Sequence, residues 1–187
     1  MASGGRVHDR ELLDALEALA PDKFSGVVWR VGFVSRDPLV GSTHGGRWHP
    51  AGAFEGLYTS LDRDGALAEV YFHLSRAPVF SSAEVRLFEL RLDDTNVLRL
   101  DDLALLRSLG LENAAAGTLN YERSQAIGAA AHFLEHQGIL VPSARWPCLN
   151  LVLFLDRLNL EGVIVDDGVE VNWPAWKEHT RKPDSNQ

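Results

Sequence analysis

The chain of 187 residues is poor in cysteine and has no long hydrophobic run. Its one cysteine, Cys148, excludes an internal disulfide and gives no spacing typical of a metal site. No apolar run approaches the ~18 residues that a membrane-spanning helix needs. Residues 1–6 have no apolar segment behind them, so the sequence predicts no secretory signal. Together these absences predict a protein of the cytoplasm.

Basic residues are also scarce: 18 Lys and Arg against 26 Asp and Glu give a net charge of −8. A nucleic-acid ligand requires a basic surface that releases counterions from phosphates, so the composition argues against one. Several arginines nevertheless lie inside apolar segments, which suits a small phosphorylated ligand. The sequence contains neither G-x-G-x-x-G nor G-x-x-x-x-G-K-[ST]. A bound dinucleotide would therefore be held without a Rossmann turn or a P-loop.

No linker rich in Pro, Gly or Ser divides the chain, so one domain over residues 1–187 is expected. Helices and strands do not alternate strictly, which predicts an α+β fold with an antiparallel or mixed sheet. Residues 35–55 contain glycines and prolines with little apolar periodicity, and this predicts a long functional loop. The pattern predicts helices at 9–19, 62–76, 101–109 and 121–137, and strands at 27–33, 56–60, 84–92, 139–142, 150–155, 162–166 and 170–173.

Three local features refine this assignment. Asp9 is expected to cap the first helix, and Gly138 to follow the end of the long helix at 121–137. A bulge is expected near Leu87 and Phe88, where the alternation of the strand at 84–92 is interrupted. Gln125 lies on the long helix, and the simplest interpretation is that its side chain faces solvent.

Polar side chains stand inside or at the ends of apolar segments, where burial is costly unless they pair or bind a ligand. These are Arg30, Arg47, Tyr58, Glu69, Ser143, Arg145 and Asn150. Taken singly, an arginine can keep its head in water, a tyrosine can be a core aromatic and a serine can start a turn. Glu69 is harder to explain, because it lies inside the apolar run 66–70, and its structural alternative is a salt bridge to Arg30 or Arg76.

As a set, the same side chains can perform chemistry on an anionic heterocyclic ligand. A guanidinium fork grips a phosphate, and the glycines before Arg47 let the backbone approach an anion while Trp48 shields it from water. The ring of Tyr58 can stack on a heterocycle such as nicotinamide. The carboxylate of Glu69 can bind a ribose hydroxyl and stabilise positive charge at the anomeric carbon.

The order of the motifs resembles the RES-domain family, which is named for its Arg, Glu and Ser. The resemblance covers roughly residues 26–173, and it rests on Arg30, Gly46-Arg47-Trp48, Tyr58-Thr59-Ser60, Glu69, Gln125-Ala126-Ile127-Gly128, Val141-Pro142-Ser143 and Asn150-Leu151-Val152. It implies an ADP-ribosyltransferase-like fold, in which two antiparallel sheets splay around an NAD cleft. It also implies the toxin of a toxin–antitoxin pair, which depletes NAD and whose cleft is blocked by a small DNA-binding antitoxin.

The resemblance further implies a role for each site residue. Arg30 and Arg47 hold the pyrophosphate and nearby ribose, and Tyr58 stacks on the nicotinamide side. Glu69 stabilises the oxocarbenium-like transition state, with Arg30 and Tyr58 counted beside it as catalytic. Ser143 and Asn150 line the cleft, and Arg145 helps to bind an anion. No metal and no cofactor beyond the substrate NAD is expected.

The acceptor of the ADP-ribosyl group stays open at this point. Water would make the protein an NAD glycohydrolase, phosphate a phosphorylase, and a protein side chain an ADP-ribosyltransferase. Two other interpretations remain: a non-catalytic module that binds an anion or nucleotide, and a different nucleotide-processing enzyme with Glu69 as general base.

Overall fold

The structure is a computed structural model and describes residues 9–76, 84–112 and 121–181. Its helices are α1 (Arg10–Glu17), α2 (Arg63–Leu74), α3 (Leu103–Ser108), α4 (Glu122–Phe133) and α5 (Trp173–Arg181). Its strands are β1 (Asp22–Phe33), β2 (Gly56–Ser60), β3 (Val85–Arg99), β4 (Gly138–Pro142), β5 (Leu149–Phe154), β6 (Ile164–Val165) and β7 (Val169–Glu170). The prediction of no secretory signal rests on residues outside these ranges. In the described part of the chain, every helix is too short or too polar to cross a membrane.

The strands pair in a closed ring. β1 pairs with β2, β2 with β5, β5 with β4, and β4 with β3. The ring closes because β3 returns to β1 and pairs with it antiparallel from Asp22↔Val97 to Phe33↔Val85. The β3–β4 pairing is parallel and the others are antiparallel, so the predicted α+β class with a mixed sheet is confirmed. The splayed two-sheet sandwich is not confirmed, since this ring describes a barrel.

Two long strands make this closure possible. With 12 and 15 residues, β1 and β3 are long enough to bend from one neighbour to the next. The bend coincides with a register shift between Phe24 and Gly26, opposite Asp94, whose φ is +45°. The bulge expected near Leu87 and Phe88 is wrong, because the ladder is regular there.

The sequence pattern suggested a bulge at 87–88 because two consecutive apolar residues interrupt the alternation. Both are buried, on opposite faces of β3: Leu87 packs with α2 and α5, and Phe88 with the other face of the barrel. Phe88 also lies against Gly32 and Gly168, where a β-carbon would meet its ring. Burial on both faces of a strand, rather than an extra residue, explains the pattern.

The helices cover the two sides of the barrel. Helices α1, α3 and α4 share one core cluster with residues of β4 and β5, among them Leu16, Leu106 and Ile127. Helices α2 and α5 share another with β1 and β3, including Leu67 and Trp173. The cavity described below lies between α2 on one side and the start of α4 on the other.

The helix predictions are confirmed in place but not always in length. Asp9 caps α1, and its carboxylate accepts from the N–H groups of Glu11 and Leu12. The prediction for the long helix is wrong at its end: α4 stops at Phe133, and Gly138 begins β4. The chain reverses at Glu135, which has a φ of +65°, so a non-glycine residue takes the left-handed position expected of glycine. Helix α5 was not predicted.

Candidate active site

A cavity of about 470 Å³ opens between β1, β2, α2 and the turn that joins β4 to β5. Its lining includes the predicted site residues Arg30, Arg47, Tyr58, Glu69, Arg145 and Asn150. Ser143 is buried behind this lining and reaches the site through Glu69. The structure therefore brings together all seven residues that the sequence singled out.

The carboxylate of Glu69 is held from one side. Its Oε1 accepts a hydrogen bond from Oγ of Ser143 at 2.7 Å and another from Nδ2 of Asn150 at 3.0 Å. Oγ of Ser143 also accepts from the backbone N–H groups of Arg145 and Trp146, so its one proton goes to Glu69. Both donors to the carboxylate are neutral, and the second oxygen, Oε2, has no hydrogen-bond partner in the described part of the chain. The alternative salt bridge to Arg30 or Arg76 is likewise not formed among the described residues.

Arg30 is largely engaged with the backbone. Its guanidinium donates to the carbonyl oxygens of Tyr58 at 3.1 Å and Val40 at 2.9 Å. Its Nε is buried and has no acceptor among the described residues. Burial lowers the pKa of Arg30 to about 10, while nearby Glu55 opposes that change, so the side chain stays charged at neutral pH. Arg30 thus ties strand β2 to the segment around Val40 through two of its five N–H groups.

The hydroxyl of Tyr58 is fully used inside the protein. It accepts from the backbone N–H of Trp48 at 2.9 Å and lies 3.0 Å from Nδ1 of His49. Nε2 of His49 lies 2.8 Å from the carbonyl oxygen of Ser42, which can only accept, so Nε2 carries the proton. Nδ1 is then the acceptor, and Tyr58 donates to it. Burial raises the pKa of Tyr58 and lowers that of His49, which keeps both groups neutral.

The segment at residues 42–49, which we call the site loop, is also held by helix α4. Oγ of Ser124 donates to the carbonyl oxygen of Arg47, and Nε2 of Gln125 donates to that of Gly46 at 2.8 Å. The solvent-facing interpretation of Gln125 is therefore wrong. Gly128 packs directly on the loop, because a β-carbon there would run into the carbonyl oxygen of Trp48.

Two further cations face the cavity from different walls. Arg47, on the site loop, has its pKa lowered by burial and by the nearby charge of Arg145, whereas Glu69 raises it. The guanidinium of Arg145 lies over the ring of Phe72, 3.3 Å from its centroid. Arg47 and Arg145, rather than Arg30, therefore supply most of the positive charge that a ligand would meet.

The profile of the RES domain matches residues 27–174, which is most of the chain. The chain belongs to the RES-domain family. Within this family it is similar to a protein called NAD(+) phosphorylase MbcT from Mycobacterium tuberculosis, and to its namesake from Mycobacterium bovis. Each is 30% identical over 143 residues, which are 73% of this chain and 77% of the relative.

A solved structure shows the same likeness. The crystal structure of the Mycobacterium tuberculosis MbcT–MbcA toxin–antitoxin complex aligns with this RES domain with a TM-score of 0.81 at 27% identity. The alignment covers 91% of this chain and 97% of that chain. The match extends beyond the residues of the RES profile, so it includes segments that flank the profile as well.

Several residues that hold the site of this RES domain in place were not identified from the sequence. His49 looked like a loop histidine without a role, and nothing near it signals that its ring connects Ser42 to Tyr58. The contacts of Ser124 and Gln125 had a signal, since the Gln125–Gly128 motif belongs to the family pattern. Nothing in the sequence marks Phe72 or His73 as a functional residue, because both follow Glu69 on an ordinary helical segment.

Proposed function

We propose that this protein is the toxin of a toxin–antitoxin pair, and that it cleaves the nicotinamide–ribose bond of NAD with inorganic phosphate as acceptor. The names of the MbcT relatives support the reaction, and the MbcT–MbcA complex supports the partnership. The geometry of the cavity supplies the chemical reason. One observation carries the proposal: a carboxylate fixed by two neutral donors within a cavity that arginines also line.

Glu69 is suited to stabilise a ribosyl cation. Ser143 and Asn150 orient its Oε1 without adding positive charge, so the carboxylate keeps its full attraction for a cation. Oε2 remains available to a ribose hydroxyl or to the developing charge at the anomeric carbon. Because the carboxylate is held before substrate arrives, little reorganisation is needed during the reaction.

Bond cleavage itself requires little proton transfer. The C–N bond of NAD breaks with its electron pair on the pyridinium nitrogen, so nicotinamide departs as a neutral molecule. The site therefore has to orient the ribose and stabilise the cation, rather than protonate the leaving group. The saturated hydroxyl of Tyr58 agrees with this, because it has no proton to exchange with substrate.

The geometry supports a refined assignment of roles. We assign Arg47 to the pyrophosphate of NAD, together with Arg30, which lines the same cavity. The ring of Tyr58 remains the proposed contact for nicotinamide, while its hydroxyl positions the site loop. Asn150 both lines the cavity and orients Glu69, and Ser143 acts on Glu69 from behind.

Several finer points belong to the same proposal. We infer a cytoplasmic protein, because its substrate NAD is found there, with no metal and no cofactor beyond NAD. The partner is proposed to be a small DNA-binding antitoxin with a segment that closes the cavity. The likeness of the fold to ADP-ribosyltransferases, which the family resemblance implied, stays a prediction.

Two alternatives share part of this geometry. A protein ADP-ribosyltransferase would break the same bond but transfer the group to a side chain, and the name of the relatives favours phosphate instead. A non-catalytic module would use the arginines but gain nothing from a clamped carboxylate beside its anion. Release of nicotinamide excludes the binding module, and the fate of the ADP-ribosyl group separates the enzymes.

Expression of the protein without an antitoxin tests the proposal in cells. We expect growth to stop and cellular NAD to fall, whereas Glu69→Gln, which keeps the shape but not the charge, restores both. The matched control is Glu161→Gln, which changes an exposed carboxylate outside the cavity and should stay toxic. Growth arrest with unchanged NAD would contradict the proposal.

A further inference from the structure

Two arginines stack on one phenylalanine at the edge of the cavity. The guanidinium carbon of Arg145 lies 3.3 Å from the ring centroid of Phe72, and that of Arg76 lies 3.7 Å from it. The ring attracts each cation, but the two cations also repel each other. This arrangement holds Arg145 in place without neutralising it.

Arg145 is fixed at both its backbone and its side chain. Its backbone N–H donates to Oγ of Ser143, the same atom that donates to Glu69. Arg145 lines the cavity, and the N–H groups of its guanidinium have no hydrogen-bond acceptor among the residues that the structure describes. The side chain is therefore an oriented cation, close in the structure to the carboxylate, with donors to spare.

The surroundings of Arg145 favour an anion. The charge of Arg145 is near enough to lower the pKa of Arg47, so two like charges approach each other across the cavity. His73 lines the same cavity four residues after Glu69, about 6 Å further along α2, and offers another N–H donor. The pyrophosphate of NAD accounts for Arg47 in the proposed function, and it leaves Arg145 without a ligand.

We propose that Arg145, oriented by Phe72 and assisted by His73, binds the acceptor phosphate next to the anomeric carbon. Phe72 is a positioning residue in this account, since it acts through Arg145. The inference rests on the proposed function and deepens it, because it names the residues that favour phosphate over water as acceptor. Guanidinium groups bind phosphate through paired N–H donors, which is why an oriented arginine is effective here.

The reaction balances without a general base. A lone pair of HPO₄²⁻ forms the new C1–O bond as the C1–N bond breaks, and the electron pair of that bond leaves with nicotinamide. The products are neutral nicotinamide and an ADP-ribose phosphate ester that retains the phosphate proton. Water as acceptor would instead have to lose a proton. A bound phosphate dianion therefore suits this site, because Glu69 stabilises the ribosyl cation and does not have to act as a general base.

Steady-state kinetics of the purified full chain, with NAD and phosphate varied independently, test the inference. We expect Arg145→Ala to raise the KM for phosphate on the order of 10- to 100-fold, as for the loss of hydrogen bonds to a charged ligand, with the KM for NAD within about threefold. Phe72→Leu keeps most of the volume but removes the stacking, so the KM for phosphate should rise on the order of threefold to tenfold. Arg145→Lys should recover part of the loss. Arg107→Ala, which removes an exposed arginine of α3, is the matched control.

The outcomes separate the two claims. Phosphate-dependent wild-type turnover together with an unchanged KM for phosphate in Arg145→Ala and Phe72→Leu would overturn this inference and leave the proposed function standing. A KM for NAD that rose in step with the KM for phosphate would also overturn it, because Arg145 would then serve NAD. Wild-type turnover that ignored phosphate would overturn the acceptor and this inference together. Circular dichroism of each variant shows whether it is folded before its kinetics are compared.

Discussion

Ser143→Ala distinguishes a residue that positions Glu69 from one that contacts substrate. The change removes the 2.7 Å hydrogen bond to Oε1 of Glu69 and leaves the 3.0 Å bond from Asn150. A hydrogen bond to a charged group contributes about 1.5–3 kcal/mol. If that contribution is lost in the transition state, kcat should fall roughly 10- to 100-fold. The KM for NAD should stay within about threefold of the wild-type value, because Ser143 lies behind the cavity lining.

The assay is release of nicotinamide at saturating phosphate, with NAD varied. Ser108→Ala is the matched control, since its hydroxyl is exposed and donates only within helix α3. The double variant Ser143→Ala/Asn150→Ala should not be additive: its loss in activation free energy, from kcat, should differ from the sum of the losses in the two single variants. The reason is that both side chains act on one oxygen atom. A higher KM for NAD with an unchanged kcat would refute the positioning role. It would support the direct contact that the sequence suggested.

Three further predictions follow from the same site. Arg47→Ala should raise the KM for NAD more than it lowers kcat, whereas Glu69→Gln should lower kcat on the order of 100-fold with a smaller effect on the KM for NAD. Both constants are measured by nicotinamide release, and the reverse pattern would contradict the assigned roles. Gly128→Ala should lower the Tm, because its new methyl group meets the carbonyl of Trp48 and overpacking costs about 1–3 kcal/mol. The control is Gly162→Ala, whose methyl group meets nothing closer than 3.9 Å, and equal Tm values for the two variants would disprove the contact at Gly128. Burial lowers the pKa of His49 in the folded protein from the ordinary histidine value of 6.5. Below pH 6.5 the unfolded chain therefore binds more protons than the folded protein, and the free energy of unfolding should fall as the pH falls. His49→Gln should flatten that dependence in urea titrations, and an unchanged slope would mean that other groups cause it.

Much of the local structure could be predicted because short-range signals decide it. Gly56–Ser60 is a strand in the sequence pattern and in the structure, because glycine and an apolar run mark it on one side and Asp62 caps the next helix on the other. The site loop was also expected, since glycines and prolines prevent regular structure there. These features depend on residues that are neighbours in the chain.

Closure of the barrel could not be predicted in the same way. It depends on pairing between β1 and β3, whose contacting residues lie some 50 to 75 positions apart, for example Phe33 with Val85 and Asp22 with Val97. Phe133 lies in the apolar pattern of the predicted helix at 121–137 but is 57% exposed, because α4 ends there and the chain turns at Glu135. Helix α5 was missed because the sequence pattern placed Trp173 at the end of a strand at 170–173, and only the fold shows that Trp173 and Trp176 pack against Tyr71.

The candidate site was predictable as a set of residues but not as a set of contacts. Arg30, Tyr58 and Ser143 stood out because polar groups in apolar segments need partners. Their partners proved to be backbone carbonyls, a histidine ring and a glutamate within the protein. Sequence shows that a buried polar group needs a hydrogen bond, and only the fold shows which atom supplies it.

The central claim is tested most directly by the product that the purified protein forms from NAD. With NAD and inorganic phosphate, we expect equimolar nicotinamide and a phosphate ester of ADP-ribose, which ³¹P NMR detects as a new monoester signal. Omission of phosphate should slow nicotinamide release strongly, and Glu69→Gln should abolish most of it under both conditions. No release of nicotinamide from a folded protein, or its release with free ADP-ribose at a rate independent of phosphate, would contradict the account.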